Sequence, residues 1–377
     1  MTPLGLYIHL PFCAGRCPYC DFFARPYAPG PARALVPALI RHLELIAPRA
    51  AGRVFSHVYL GGGTPSLWPA AAIAELIAAA AALVGLSPDC EVSMEANPGG
   101  LGGAKLARLR AAGVNRLSLG AQSFSPDLLA AIGRRHGPGS TARAVDQART
   151  AGFMNLSLDL IYGLPGQTPE MARRDILAAL ALAPDHLSLY ELTLAPETPF
   201  GRRYQKNRPP LPGEDAILAM EDQALELAAA AGLMRYEVSN FARPGFECRH
   251  NADTWAGGDY LALGPGAHGH LAGVRWALVA DVEAYLEGIA AGAEPLAWRE
   301  ELSGAQRALE LVMLGLRATA GVDLAACAAL MGRPVERAWA APLAEVQARG
   351  WAGLAGGRLV PTALGLRMAD AAAALFA

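Results

Sequence analysis

Short apolar runs rich in Val, Ile, Leu and Tyr alternate along the chain with longer Ala/Leu-rich stretches. The short runs predict strands at Leu4–Leu10, Val54–Leu60, Glu91–Glu95, Asn115–Gly120, Asn155–Tyr162, His186–Leu194 and Arg235–Asn240. The longer stretches predict helices at Pro31–Ala47, Pro69–Val84, Leu101–Ala112, Thr141–Ala151, Pro169–Leu182 and Gly213–Ala231. Gly113, Gly152 and Gly232 follow three of them as expected stops. Strand–helix alternation repeated about six times implies a parallel sheet with right-handed crossovers. The count suits an α/β fold curled into a full or partial barrel. No G-x-G-x-x-G follows the first strand, so a dinucleotide-binding fold loses its main support.

The pattern breaks at the Pro/Arg-rich stretch Tyr204–Gly213 and again at Arg243–Gly269, which is rich in Gly, His and aromatics. After Ala290 the chain reads as helical. Gly304–Leu316 and Asp323–Met331 are expected helices, Gly350–Thr362 an expected hairpin turning at Gly356-Gly357, and Ala363–Phe376 a last helix. Helices followed by a small hairpin suggest a winged-helix-like C-terminal unit. Residues 299–377 hold eight Arg against seven Asp and Glu, so contact with protein or cofactor is expected there rather than with nucleic acid.

The whole 377-residue chain is near-neutral, with 32 Lys and Arg against 34 Asp and Glu, and lacks the excess that neutralising a nucleic-acid backbone needs. A hydrophobic fraction of 53% is enough for a sizeable core. Met1–Leu10 lacks the basic start and long apolar run of a secretory signal. Trp68–Leu86, interrupted by Pro69 and Glu75, reads as a buried barrel helix rather than a membrane span. Peripheral contact with a membrane stays open. Six cysteines are too few for a disulfide scaffold, and a reducing, cytoplasmic setting is expected. Three of the six fall within eight residues, which reads as metal or redox chemistry.

Those three are Cys13, Cys17 and Cys20, in Cys-x3-Cys-x2-Cys directly after the first strand. Thiolates ligate iron–sulfur clusters and zinc. A cubane takes four cysteines, so three would leave one iron open to an outside chelator. Structural zinc wants a fourth ligand close by, and His9 is the local candidate. Cys90 and Cys327 read as inert core residues. The next strand ends in Gly61-Gly62-Gly63-Thr64-Pro65, where the backbone can approach a ligand closely. Polar residues then mark the following strand ends: Glu95, Gln122, Asp159, and Tyr190, Glu191 and Thr193. The C-terminal end of a parallel barrel is where sites are assembled.

Together these motifs resemble the radical S-adenosylmethionine superfamily. A narrower set resembles its HemW group, relatives of oxygen-independent coproporphyrinogen III dehydrogenase: Tyr7-Ile8-His9-Leu10-Pro11-Phe12-Cys13, Cys17-Pro18-Tyr19-Cys20-Asp21-Phe22, the Gly61 loop, Glu95-Ala-Asn97-Pro98, Asp159-Leu-Ile-Tyr162-Gly163 and His250-Asn251. The resemblance implies a radical SAM partial (β/α)6 TIM-like barrel over 1–235. It further implies a joining segment over 236–295 and a HemN-type winged-helix-like domain over 296–377. It implies a 4Fe–4S cluster on Cys13, Cys17 and Cys20. S-adenosylmethionine would be held by Tyr7, Tyr19, Gly62, Gly63, Thr64, Glu95, Gln122, Arg134, Asp159 and Thr193, with Arg135 as the alternative to Arg134.

The coproporphyrinogen dehydrogenases carry a further Cys two positions after the third ligand; here Phe22 stands there. In the resemblance, this Phe implies the branch associated with haem binding and delivery. The branch motif His-Asn-x-x-Tyr-Trp reads His250-Asn251-Ala252-Asp253-Thr254-Trp255, with Thr for Tyr. His250 and Trp255 are therefore candidate haem contacts; His268, His270 and Cys248 are lesser ones. The expected activity is that of a haem chaperone delivering to acceptors such as respiratory haem proteins. The alternative is radical decarboxylation of coproporphyrinogen III to protoporphyrinogen IX.

Overall fold

Six strands run parallel and adjacent in chain order: β1 (Leu4–Leu10), β2 (Phe55–Gly62), β3 (Leu86–Ala96), β4 (Arg116–Gln122), β5 (Asn155–Tyr162) and β6 (His186–Glu191). This computed structural model describes residues 3–206 and 211–377, so residues 207–210 of the Pro/Arg-rich break lie outside the described residues. Helices Pro29–Ile46, Ala70–Leu83, Gly103–Ala111, Pro138–Thr150 and Pro169–Leu180 return the chain between strands, and Glu214–Ala230 follows β6. Gly113, Gly152 and Gly232 sit at positive φ just past three of them. Among the described residues, no helix is long and apolar enough to cross a membrane.

Side chains along each strand alternate between two faces. One set is apolar and buried: Leu4, Leu6, Ile8 and Leu10 of β1, Val58 and Leu60 of β2, Met94 of β3, Leu117 and Leu119 of β4, Leu156 and Leu158 of β5, and Leu187 of β6. It joins helix residues such as Leu35, Leu39, Ile73 and Leu106 in one continuous core. The intervening positions are polar: His57 and Tyr59, Glu91, Ser93 and Glu95, Arg116 and Ser118, Ser157 and Asp159, and His186, Ser188 and Tyr190. The lumen of this barrel is therefore polar, unlike the apolar layers that fill a closed eight-stranded barrel.

The sheet continues past both ends of the six. Beyond β6 lie β7 (Met234–Arg235) and β8 (Asn240–Ala242), both antiparallel steps. The expected single strand Arg235–Asn240 is thus split. Buried Glu237 turns the chain there, accepting from Ser239 N at 3.0 Å and from the Asn240 amide. The sixth strand ends at Glu191, short of the expected Leu194. Beyond β1, β9 (Asp259–Leu263) adds a seventh parallel strand. Antiparallel β10 (His268–Leu271), β11 (Val274–Leu278) and β12 (Leu296–Glu301) complete a twelve-stranded sheet. β12 corrects the expectation that the chain turns helical directly after Ala290. It is exposed along its whole length, so no core-facing alternation marks it.

The C-terminal unit has its own core, including Val312, Val322, Cys327, Val346 and Leu359. Helices Gly304–Gly315, Leu324–Met331 and Ala340–Ala348 pack with a three-stranded sheet whose hairpin, Ala352–Ala355 and Arg358–Pro361, turns at the predicted glycines. The predicted last helix is two, Ala363–Arg367 and Ala369–Ala374, separated at Met368. The unit docks by backbone bonds from Val238 N to Arg317 O at 2.9 Å and from Thr319 N to Tyr236 O at 3.0 Å.

Gly264 fastens β9 to the end of β1: it has φ +99°, and a Cβ there would lie 2.2 Å from the His9 carbonyl oxygen. Gly264→Ala should lower unfolding free energy by about 2–3 kcal/mol, against about 1 kcal/mol for Gly292→Ala, which shares the positive φ but faces open space. Urea or thermal unfolding of the two variants measures the difference.

Candidate functional site

A cavity of about 790 Å³ opens where the strands β1–β6 end. Its lining draws on the loop after β1 (Cys13, Cys17, Tyr19, Cys20), the loop after β2 (Gly62, Gly63, Thr64), Glu95 and Asn97 at β3, Gln122 at β4, Arg134, Asp159 of β5, and Tyr190 to Thr193 at β6. Twelve predicted residues from seven separate segments of sequence thus meet in one space.

The cysteine loop is closed at its base by backbone bonds from Arg25 N to Pro11 O at 2.7 Å and from Tyr27 N to Cys13 O at 2.9 Å. A turn from Cys20 N to Cys17 O and a bond from Phe200 N to Pro18 O fix its middle. The Thr64 hydroxyl donates to Cys13 Sγ at 3.5 Å. Burial pushes the Cys13 thiol up, and Cys20 up to about 11, so a cationic centre is needed to hold them as thiolates. His9 does not complete a zinc site. Its Nε2 meets the Phe23 carbonyl at 2.8 Å and its Nδ1 the Tyr7 hydroxyl at 2.9 Å, so both ring nitrogens are engaged. Among the described residues no His, Cys, Asp or Glu trio is arranged to hold a single ion. The donor set facing the cavity is three thiols and no fourth, which fits a cluster with one iron left open.

The glycine loop presents acceptors. Gly62 N donates to Glu95 Oε2 at 3.2 Å, Gly63 N to Leu10 O at 2.9 Å and Thr64 N to Phe12 O at 2.9 Å. With its amides spent, the loop suits an ammonium group rather than a phosphate. Gly62 has φ +103°, and a Cβ would strike the His9 ring at 2.5 Å, so only glycine fits. Glu95 also accepts from the Tyr59 hydroxyl at 2.9 Å, yet burial pushes its carboxyl up to about 7. Asn97 Oδ1, Gln122 Oε1 and Arg134 Nε are buried without a hydrogen-bond partner, and Gln122 holds φ +64°. Unpaired polar atoms and a strained backbone converge on this cavity, as expected where a ligand completes the site. Arg135 lines it too, but is spent over the cysteine loop, its Nη1 3.4 Å from Ala14 O.

Three predicted residues lie elsewhere. Tyr7 stacks at 5.7 Å on His250, which in turn stacks at 4.7 Å on Tyr59. His250 begins the short helix Arg249–Trp255; its Nδ1 is buried without a partner, and burial lowers the imidazole to about 3. Trp255 sits toward the C-terminal unit, with the Arg317 guanidinium 6.0 Å from its ring centre. Thr254, which replaces the motif's Tyr, bonds back to the His250 carbonyl at 2.7 Å. Cys90, Cys248 and Cys327 are buried away from the cavity. Sequence reasoning missed Tyr59, Asn97, Arg116, Ser118 and Asn251 among the lining residues. Strand alternation was the available signal for Tyr59, Arg116 and Ser118.

A partial barrel with three cysteines on its first loop and a polar lumen defines a radical S-adenosylmethionine protein. Residues 7–178 match the Radical SAM superfamily, and residues 302–368 match the HemN C-terminal domain. The chain belongs to the HemW family. It is 39% identical to Heme chaperone HemW of Mycobacterium tuberculosis over 98% of this chain and 93% of that one. It is 42% identical to Heme chaperone HemW of Escherichia coli over 71% and 70%, and 35% identical to that of Bacillus subtilis over 91% and 91%. The structure of coproporphyrinogen III oxidase (HemN) from E. coli, a radical SAM enzyme, superposes with TM-score 0.86 at 24% identity, covering 100% of this chain and 90% of that one. At that identity the likeness concerns the fold.

Glu95 gives the ligand-free site a pH signature. Its carboxyl titrates near 7 when folded, against 4.5 as the ordinary value, so the folded form holds the proton more tightly. Its contribution to stability is fully present below pH 4.5 and is lost as pH rises through 7. Unfolding free energy of the apo-protein should fall over that window, and Glu95→Gln should flatten the slope. Urea titrations at stepped pH measure it.

Proposed function

We propose that the chain is a haem chaperone that carries a 4Fe–4S cluster and S-adenosylmethionine, binds haem, and delivers it to acceptor haem proteins such as respiratory enzymes in the cytoplasm or at a membrane surface. The names of its relatives support the haem reading, and the observation that carries it is Phe22. This residue is 63% exposed at the rim of the cavity, at the position where the porphyrinogen enzymes have a further Cys. An exposed phenyl ring beside a polar cavity suits an apolar planar macrocycle.

Cys13, Cys17 and Cys20 hold the cluster, whose open iron supplies a site for an amino-carboxylate chelator when bound. The Gly62–Gly63 carbonyls and Glu95 take the ammonium end of S-adenosylmethionine, and Arg134 with Gln122 takes its carboxylate. Asp159 and the Thr193 backbone complete the pocket, Tyr19 lies against the cofactor between two cluster ligands, and Tyr7 supports the pocket from the stack beneath. His250 ligates haem iron through Nδ1, the ring nitrogen left without a hydrogen-bond partner. Reaching the iron requires the helix Arg249–Trp255 to shift; none of its residues is fully buried. Trp255 contacts the macrocycle once the helix moves.

Anaerobic reconstitution should yield labile iron and sulfide in the wild-type protein and lose both in Cys17→Ser, with the thermal midpoint little changed. Haem titration of the reconstituted protein should give a saturable, near-stoichiometric Soret change. His250→Ala should weaken it by about tenfold or more, the scale of one lost strong interaction. A wild-type protein with no saturable Soret change, or one converting coproporphyrinogen III to protoporphyrinogen IX with release of carbon dioxide, would overturn the reading.

A further inference from the structure

Arg116 opens β4 and points into the lumen. Its register partner is Ser93, while Ser118 pairs with Glu95. Arg116 therefore lies two residues, about 6.6 Å along the strand, below the level of Glu95. Gln122 lies six residues along the strand from it. The residue is 2% exposed, yet it lines the cavity, as do Ser118, Asp159 and Ser188. Its Nε is buried with no hydrogen-bond partner. Glu91, the acid nearest in sequence register, acts on Arg116 through space while one of its oxygens serves other donors. Its Oε1 accepts from Ser93 Oγ at 2.9 Å and from Arg249 N at 3.1 Å. His57, His186 and His250 also surround the floor, and the Arg116 charge helps hold His186 and His250 unprotonated, so they add no anion.

A buried guanidinium costs several kcal/mol unless an anion pairs with it, and its planar fork matches a carboxylate. Glu91 and Glu95 act on the fork through space, its other neighbours are hydroxyls and neutral imidazoles, and the residue lines the cavity. We propose that Arg116 is the receptor for a ligand carboxylate that reaches below the layer of Glu95. Two ligands of the proposed function carry carboxylates, haem on its propionates and S-adenosylmethionine on its amino-acid end. Arg134 and Gln122 already take the latter at the rim, so a propionate is the group expected at Arg116 and S-adenosylmethionine is the control. The assignment rests on that reading only for the choice of probes.

The test compares each acid with a partner lacking the carboxylate, in anaerobically reconstituted protein. Haem is titrated against haem dimethyl ester by Soret absorbance, and S-adenosylmethionine against its decarboxylated form by equilibrium dialysis. Wild-type protein should prefer the acid in one pair by about tenfold, the scale of a charge-assisted pair. Arg116→Gln should erase that preference by weakening the acid alone. Arg116→Lys, which keeps the charge and loses the fork, should retain part of it. Unchanged binding of the carboxylate-free partner shows that the variant is folded. The pair that loses its preference identifies the source of the carboxylate. If both preferences survive Arg116→Gln, the proposal is overturned. If wild-type protein binds no haem, the haem reading fails, and the S-adenosylmethionine pair still decides Arg116.

Discussion

The two-residue alternation of parallel strands is the constraint on which this molecule rests. It sends Leu, Ile, Val and Met outward against the helices and His, Tyr, Glu, Ser, Arg and Asp inward. Each fully buried aliphatic side chain contributes about 1.5–3 kcal/mol. Each buried polar atom without a partner costs about 1–3 kcal/mol. A mantle of dozens of buried apolar residues can carry the few unpaired atoms at Asn97, Gln122, Arg134 and Arg116. The stability of the outer layer thus permits an inner layer that is not optimised for stability.

A barrel interior packed with branched aliphatics would have no room for a cofactor. This lumen stays open because its side chains bond across strands near the floor instead of filling the space. Ser157 meets His186 Nδ1 at 2.8 Å, and His186 Nε2 meets the Tyr236 hydroxyl at 2.9 Å. Ser118 meets Asp159 at 2.8 Å higher up. These bonds order the wall in a low-dielectric space, where charges act strongly. The rim is then built by loops, whose backbone amides are used internally and whose acceptors and thiols are left for ligands.

Much of this was legible in the sequence for local reasons. The six barrel strands are bounded by Gly, Pro and helix stops, and the cysteine and glycine loops follow strand ends directly, so their meeting at one barrel mouth follows from topology. What the sequence hid depends on distant partners. β12 is exposed throughout and carries no apolar rhythm, so its pairing to β11 is set by tertiary context. The split between β7 and β8 depends on Glu237 folding back on Ser239 and Asn240. Arg116 sits in Asn115-Arg116-Leu117-Ser118, where a charged residue opening a strand reads as surface until the alternation is followed across neighbouring strands.

The lumen also has a vertical order of charge. At the rim, loop carbonyls and Glu95 favour a cation, and burial with the nearby Asp159 raises the affinity of Glu95 for its proton. Two residues deeper, Arg116 favours an anion. Arg134, which with Gln122 crowds Gly120, places a second cation at the rim. A zwitterionic ligand at the rim satisfies Glu95 and Arg134 together and leaves Arg116 facing whatever group extends below it. Charges of alternating sign along the lumen therefore make the position of each ligand group a consequence of strand register.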